Sequence, residues 1–279
     1  MRLLIFGLGY AAKRIAALAE AQGARVVGTS RSRRDGTIAF DDRDRVAFEL
    51  GNATHVLSSV PPEGDDPVLT RHGDALREHP GWVGYLSATG VYGDTGGAWV
   101  DETAPTGGGR RTERAAADVA WRAIGARVFR LPGIYGPGRS ALDRVRDGRA
   151  TRIDLPGQVF SRIHVDDIAR GVVAGFAAPA GVYNLADDLP ASQNDVIAYA
   201  CRLLGAPLPP LQTLEAARLG PMARDFYAEN RRIANGRARR VLGWRPLYPD
   251  YRFGLRALNA MTSPIIASAP PATASADQR

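Results

Sequence analysis

The 279-residue chain predicts an α/β fold: a doubly wound parallel sheet carrying a smaller C-terminal substrate lobe. Three observations predict it. Short apolar runs alternate with helical patterns from Arg2 to about Leu131, the mark of β-α units that cover both faces of a parallel sheet. A glycine turn, "FGLGYAA", joins the first apolar run to the first helical pattern. Beyond Leu131 the alternation loosens, and from Pro207 onward prolines, arginines and short helices suggest a lobe packed over the carboxyl edge of the sheet.

The elements follow in order. Arg2 to Phe6 is a strand, a helix runs on to about Ala21, and Ala24 to Gly28 is a second strand. Thr54 to Ser59 and Trp82 to Ala88 are buried-strand candidates with the helix "VLTRHGDALREH" between them. Arg110 to Ile124 reads as a helix and Ala126 to Leu131 as a strand, and right-handed crossovers stack these units into one sheet. "PGIYGPG" reads as a loop, "RSALDRVRDG" as a short helix, "FSRIHVDDIARGVVAGF" as a strand end entering a helix, and "GVYNLADD" as one more strand. The expected division is residues 1–185 for the sheet domain, with 135–160 contributing to the lobe, and 186–261 for the lobe itself. The stretch 262–279, rich in Pro, Ala and Ser, is expected to be a disordered tail.

Composition narrows the classes. Hydrophobic residues at 45% and charged residues at 23% belong to an ordinary soluble globular protein. The net charge of +7 is almost all arginine, since Lys13 is the only lysine. The arginines are spread from Arg2 to Arg279 without interleaved aromatics, so a nucleic-acid groove is not expected. Cys201 stands alone, which leaves no disulfide framework and makes the cytoplasm the default setting; in "VIAYACRLL" it reads as a buried structural thiol. His55, His72 and His79 have no metal-ligand spacing. Gly7 and Gly9 break the opening apolar run and Lys13 and Arg14 follow it, which argues against a signal peptide. No run approaches the roughly 20 apolar residues of a membrane helix.

Gly7 and Gly9 stand directly after a strand and before a helix. There the first glycine makes a tight turn, the second admits a pyrophosphate, and the helix N-terminus offers amides and a positive dipole. Ala12 replaces the third glycine of the G-x-G-x-x-G pattern. A dinucleotide site of the NAD(P)-binding Rossmann type is favoured over a structural turn. At the end of the second strand an acidic residue would select NAD, yet the chain has Thr29, Ser30 and Arg31, then Ser32, Arg33 and Arg34. A hydroxyl followed by guanidinium suits a 2′-phosphate, so NADP(H) is expected, with NAD(H) as the alternative. The competing reading is that these arginines only solvate a loop.

Three further motifs, "YLSATGVYGD" (85–94), "RLPGIYGPGR" (130–139) and "FSRIHVDDIA" (160–169), follow the glycine turn in this order. Together the chain resembles the extended short-chain dehydrogenase/reductases, the NAD-dependent epimerase/dehydratase family. "SVPP", "GGAWVDE" and "FYAENRRIANGRARRVLGWRPLYPDYRFGLRAL" resemble its atypical YeeZ-like subgroup. The resemblance implies an NAD(P)-binding oxidoreductase or a nucleotide-sugar epimerase/dehydratase. It also implies a catalytic Ser or Thr with Tyr and Lys four residues apart on one helix, where tyrosinate moves a proton and lysine lowers its pKa. Carried over residue by residue, the hydroxyl position is Ala88, flanked by Ser87 and Thr89. Asp118 matches the acidic residue that follows the lysine by four, which puts Arg114 at the lysine position and Arg110 at the tyrosine position. One fact is independent of that alignment: with Lys13 as the only lysine and Gly9 four residues before it, the chain contains no Tyr-x-x-x-Lys. Arginine, with a pKa above about 12, cannot serve as the acid or base instead.

The candidate residues follow. Tyr92 is the first alternative for proton transfer, with Thr89 and Ser87 as hydroxyl donors to a substrate oxygen; packing and turn hydrogen bonds are the competing roles. Gly7, Gly9, Tyr10, Ala12, Ser30 and Arg31 are expected to hold the cofactor. Ser58, Ser59, Val60, Pro61, Ala88, Leu131, Pro132 and Ile134 are expected to flank its nicotinamide half. Arg162 either faces an anionic substrate group or sits on the surface. His164 is read as a structural or helix-capping residue. Arg110 and Arg114 are either solvated or an anion clamp, the former favoured. The expected partner is a small-molecule substrate, nucleotide-linked in one reading, with a homodimer left open and neither nucleic acid nor membrane expected. A non-catalytic NADP(H) sensor is the rival function.

Overall fold

Strand β1 (Arg2–Phe6) is apolar at four successive positions because both of its faces are covered, as the central strand of a parallel sheet requires. In the computed structural model, which describes residues 1–32, 36–110, 112–217 and 219–262, the chain continues through α1 (Tyr10–Ala21), β2 (Arg25–Ser30), β3 (Thr37–Ala39), α2 (Arg43–Asn52), β4 (His55–Ser58), α3 (Pro67–Arg77) and β5 (Trp82–Ala88). Next come a 3₁₀ turn at Thr89–Tyr92, β6 (Trp99–Val100), α4 (Thr112–Ala123), β7 (Arg127–Leu131), β8 (Gly133–Tyr135), α5 (Ala141–Arg146), β9 (Arg152–Ile153), β10 (Arg162–His164), α6 (Val165–Ala174) and β11 (Gly181–Asn184). The remainder is α7 (Gln193–Leu204), β12 (Leu211–Gln212), α8 (Pro221–Tyr227), β13 (Arg232–Ile233), α9 (Gly236–Val241) and α10 (Tyr251–Thr262).

Seven parallel strands form the sheet in the order β11-β7-β5-β4-β1-β2-β3. The chain runs outward from β1 to β3, then returns to place β4 on the other side of β1. The fold is therefore the doubly wound parallel sheet that the sequence predicts, and its topological switch point, where sheets of this kind hold ligands, lies at the carboxyl ends of β1 and β4. Alternate side chains of β1 enter two cores. Leu3 and Ile5 pack with Ala12, Ile15 and Ala19 of α1 and Ile168 and Val172 of α6. Leu4 and Phe6 pack with Val46, Val68, Leu76 and Trp121 from α2, α3 and α4.

Three features differ from the sequence expectation. The segment 37–52 forms β3 and α2, which were not anticipated: β3 has three residues, and α2 buries only Val46 and Leu50 while its other large apolar residue, Phe48, is exposed. Residues 133–135, expected in a loop, form β8 and pair in parallel with β10, Tyr135 opposite His164. The stretch 186–261 serves two cores. Helices α5, α7 and α10 pack around Leu142, Ile197, Cys201 and Leu255, whereas Ala238 and Trp244 join the core beneath α6. There the Trp244 indole donates to the Asp167 carbonyl at 3.1 Å. Of the expected tail 262–279, Thr262 closes α10 and the rest lies outside the described residues. Among the described residues no helix is long and apolar enough to cross a membrane.

Candidate functional site

The crevice is built from the turn after β1. Gly7 has φ +80°, and a Cβ there would lie 2.9 Å from Val60 Cγ2, so glycine serves both the backbone and the close approach of the β4 loop. The Gly7 amide donates to Thr29 Oγ1 at 3.1 Å and the Leu8 amide to the Thr29 carbonyl at 2.9 Å, which ties the turn to β2. The Ser59 amide donates to the Phe6 carbonyl at 2.8 Å. Gly9 precedes α1 without a side-chain cap, and a Cβ there would meet nothing within 4 Å. The helix N-terminus thus has an open approach. Ala12 is fully buried against the sheet. Ser58 Oγ at the end of β4 is buried with no hydrogen-bond partner among the described residues, and the Tyr10 hydroxyl donates to the Pro137 carbonyl at 3.1 Å.

Ser30 closes β2, with its hydroxyl 2.8 Å from Thr37 Oγ1. Arg31 lies 3.5 Å from Glu63, with the two side chains 88% and 74% exposed. A pair so solvated is weak and leaves the guanidinium ready for another anion. Arg33 and Arg34 lie outside the described residues. Ala88, opposite Leu131 in the sheet register, stands with Pro132 and Ile134 on the same carboxyl edge where β5 and β7 end and β8 begins.

Beneath that edge runs a buried polar network. Asp118 of α4 and Arg130 of β7, both side chains at 0% exposure, form two hydrogen bonds of 2.9 and 2.7 Å. The Ser87 hydroxyl donates to Asp118 at 2.7 Å. Arg130 Nη1 donates to the Tyr92 hydroxyl at 2.9 Å, and that hydroxyl donates to Asn184 Oδ1 at 2.8 Å. Glu102 accepts from the Asn184 amide at 2.8 Å. Burial raises the Tyr92 pKa, against the lowering influence of Arg130. The structure therefore engages Ser87 and Tyr92 inside the protein, and among the described residues it leaves the Thr89 hydroxyl without a hydrogen-bond partner.

The two arginines at the tyrosine and lysine positions are neither merely solvated nor paired with each other. Arg114 donates to the Tyr85 hydroxyl at 3.2 Å, whose pKa burial pushes up to about 12. Half-exposed Arg110 pairs with Asp225 of α8 at 2.6 Å, and its amide donates to Glu229 at 3.2 Å. Arg111 lies outside the described residues. The preceding glycines allow this approach: a Cβ on Gly109 would lie 2.7 Å from the Gly90 carbonyl and 2.9 Å from Gly93 Cα. The "ENRR" segment completes the junction, since Arg231 bonds both Glu229 and the Gly93 carbonyl and the Asn230 amide bonds Asp94.

Arg162 does not face an open substrate position. It is buried, and its guanidinium donates to the carbonyls of Phe160 and Ala191 at 2.8 Å and to Gln193 at 3.1 Å. His164 caps α6, with Nδ1 accepting from the Asp166 amide at 3.2 Å. Burial pushes its pKa down to about 4, opposed by Asp166. Sequence reasoning missed Arg130, Asn184, Glu102, Asp225 and Glu229. A charge inside the apolar strand "ARVFRL" could have flagged Arg130 as needing a buried partner, but not which one.

No family model matches the chain. It is 44% identical to a functionally unknown conserved protein from Silicibacter pomeroyi DSS, whose solved structure matches with a TM-score of 0.83 over 93% of this chain and 98% of that one. The structure of a putative NAD-dependent epimerase/dehydratase from Methylobacillus flagellatus matches with a TM-score of 0.72 at 25% identity, over 93% of this chain and 98% of that one. A curated Streptomyces protein named 3-diazoavenalumate denitrifying reductase is 36% identical over 171 residues, 54% of each chain. The match thus spans about half the length of that curated relative.

Proposed function

This chain belongs to the extended short-chain dehydrogenase/reductases, the NAD-dependent epimerase/dehydratase family, and from that premise we propose that it is an NADP(H)-dependent reductase of a small organic electrophile. The residues present fit the dinucleotide: a glycine cradle that a Cβ on Gly7 would crowd, the uncapped start of α1, and the unpartnered Ser58 hydroxyl. The backbone at Gly7, Gly9 and Tyr10 would hold the pyrophosphate, with Ala12 keeping α1 close to the sheet. Ser30 and Arg31 would hold the 2′-phosphate. Ser58, Ser59, Val60, Pro61, Ala88, Leu131, Pro132 and Ile134 would flank the nicotinamide half. When bound, the group supplies a hydride.

The observation that carries the reading is the state of the acid–base positions. Tyr and Lys are replaced by Arg110 and Arg114, which are bonded to Asp225 and Tyr85, while Ser87 and Tyr92 are held by Asp118, Arg130 and Asn184. Epimerisation or carbonyl reduction moves a proton at a substrate oxygen as hydride passes, and nothing in that set is placed to do so. An acceptor already cationic at the reacting centre, such as a diazonium or an iminium, takes hydride without a proton donor. The name of the Streptomyces relative, a denitrifying reductase of a diazo compound, supports this class. We assign Thr89 to contact with the substrate and Ser87 and Tyr92 to positioning the edge of the sheet. The loss of the Tyr–Lys pair also favours a second reading, a non-catalytic NADP(H) sensor. Titration with NADPH, followed by its oxidation over a panel of aryldiazonium, iminium, carbonyl and nucleotide-sugar acceptors, decides. Turnover on the cationic acceptors alone is expected. Binding with no turnover favours the sensor, and no binding overturns both readings.

A further inference from the structure

A cleft of about 510 Å³ opens at the junction of the two lobes, lined by Arg110, Leu214, Leu219, Arg224, Asp225 and Tyr227. Its volume lies in the range of small-molecule sites. Its position ties it to the carboxyl edge, because the glycine segment carrying Arg110 packs on the Gly90–Gly93 turn that follows β5. Asp225 neutralises Arg110 at 2.6 Å. Arg224 has no ion pair among the described residues, and Arg144 and Arg162 add positive potential at the Tyr227 hydroxyl. The Tyr227 ring is held edge-on to Phe160 at 5.5 Å.

We propose that this cleft receives a monocarboxylate, the anionic end of a substrate with an apolar body, with Arg224 as its partner and Leu214, Leu219 and Tyr227 against that body. The assignment rests on the reductase reading and names its substrate class. A guanidinium fork matches the two oxygens of a carboxylate. A nucleotide diphosphate would bring more negative charge than this cleft balances, and would bring it against Asp225. The anion also explains why an arginine serves at position 110: once the carboxylate binds beside Arg224, Arg110 shares it and loosens from Asp225.

Calorimetry on the full chain tests this with cinnamate and its neutral isostere cinnamamide as probes, each titrated with and without saturating NADP⁺. The expected result is that cinnamate binds about 10-fold or more tightly than cinnamamide, and that Arg224→Gln removes the difference. The same variant keeps the NADP⁺ affinity and melting temperature of the parent, because its side chain is exposed. Equal binding of the two probes, no binding of either, or cinnamate affinity unchanged in Arg224→Gln overturns the assignment. If NADP⁺ fails to bind while cinnamate still binds through Arg224, the cofactor reading falls and the cleft assignment stands.

Discussion

Replacing Asp118 with alanine probes the centre of the buried network. The substitution strips Arg130 of two hydrogen bonds and Ser87 of one, at a place where neither Asp118 nor Arg130 touches solvent. An exposed ion pair would be worth less than about 1 kcal/mol. Here the guanidinium would be left buried and uncompensated, a loss of about 3–5 kcal/mol, and the orphaned Ser87 hydroxyl adds about 1 kcal/mol. Equilibrium urea unfolding followed by circular dichroism and by tryptophan fluorescence reads the change. With a slope of about 3 kcal/mol/M, the midpoint should fall by about 1 M or more. Pairing Asp118→Leu with Arg130→Met should recover most of that loss, since two apolar side chains of similar volume replace the pair and strand no charge. A loss below about 1 kcal/mol in Asp118→Ala, or a double variant no more stable than the single one, refutes the reasoning.

Other outcomes follow from the same geometry. Arg31→Ala should weaken NADPH by about 5- to 30-fold, a charge-assisted bond less the weak Glu63 pair, and leave NADH within about 2-fold; equal effects on the two cofactors in fluorescence titrations would remove the 2′-phosphate role. Gly7→Ala forces an L-residue to φ +80° and a methyl group to 2.9 Å from Val60 Cγ2, so it should cost about 1–3 kcal/mol in thermal unfolding and abolish dinucleotide binding. Unchanged binding in that variant would falsify the cradle. His164 titrates near 4 when folded and near 6.5 when unfolded, so the unfolded chain binds more protons between those values and stability falls as pH drops from 6.5 to 4, by on the order of 3 kcal/mol in full. His164→Asn keeps a cap acceptor for the Asp166 amide and removes the titration, so its stability should be flatter over that window; an identical pH profile would remove His164 as the source.

What could be read along the chain is what neighbours in sequence decide. β1, β4, β5 and β7 were legible because each is a short apolar run, and the Gly7–Gly9 turn because backbone conformation and helix entry are local matters. α2 was not legible, since burial of Val46 and Leu50 alone leaves no periodic stripe. β8 was not either, because its three residues form a strand only through pairing with β10, some 30 residues later. At the site, the sequence pointed to Ser87, Thr89 and Tyr92 as a group, and only the partners of two of them separated the three.

The sequence by itself determined the doubly wound parallel sheet, the Gly7–Gly9 turn between β1 and α1 and the lack of a Tyr-x-x-x-Lys pair, because periodicity, glycine chemistry and a single lysine are properties of the chain as written. Only the tertiary structure decided what the arginines do. Arg130, Arg114, Arg162 and Arg110 look alike in sequence, yet one is buried against a carboxylate, one bonds a buried tyrosine, one spans two backbone carbonyls and one pairs with Asp225 of α8. A guanidinium takes its role from the acceptors that folding brings to it, and apart from the Phe160 carbonyl beside Arg162 those acceptors lie 12 to 115 residues away.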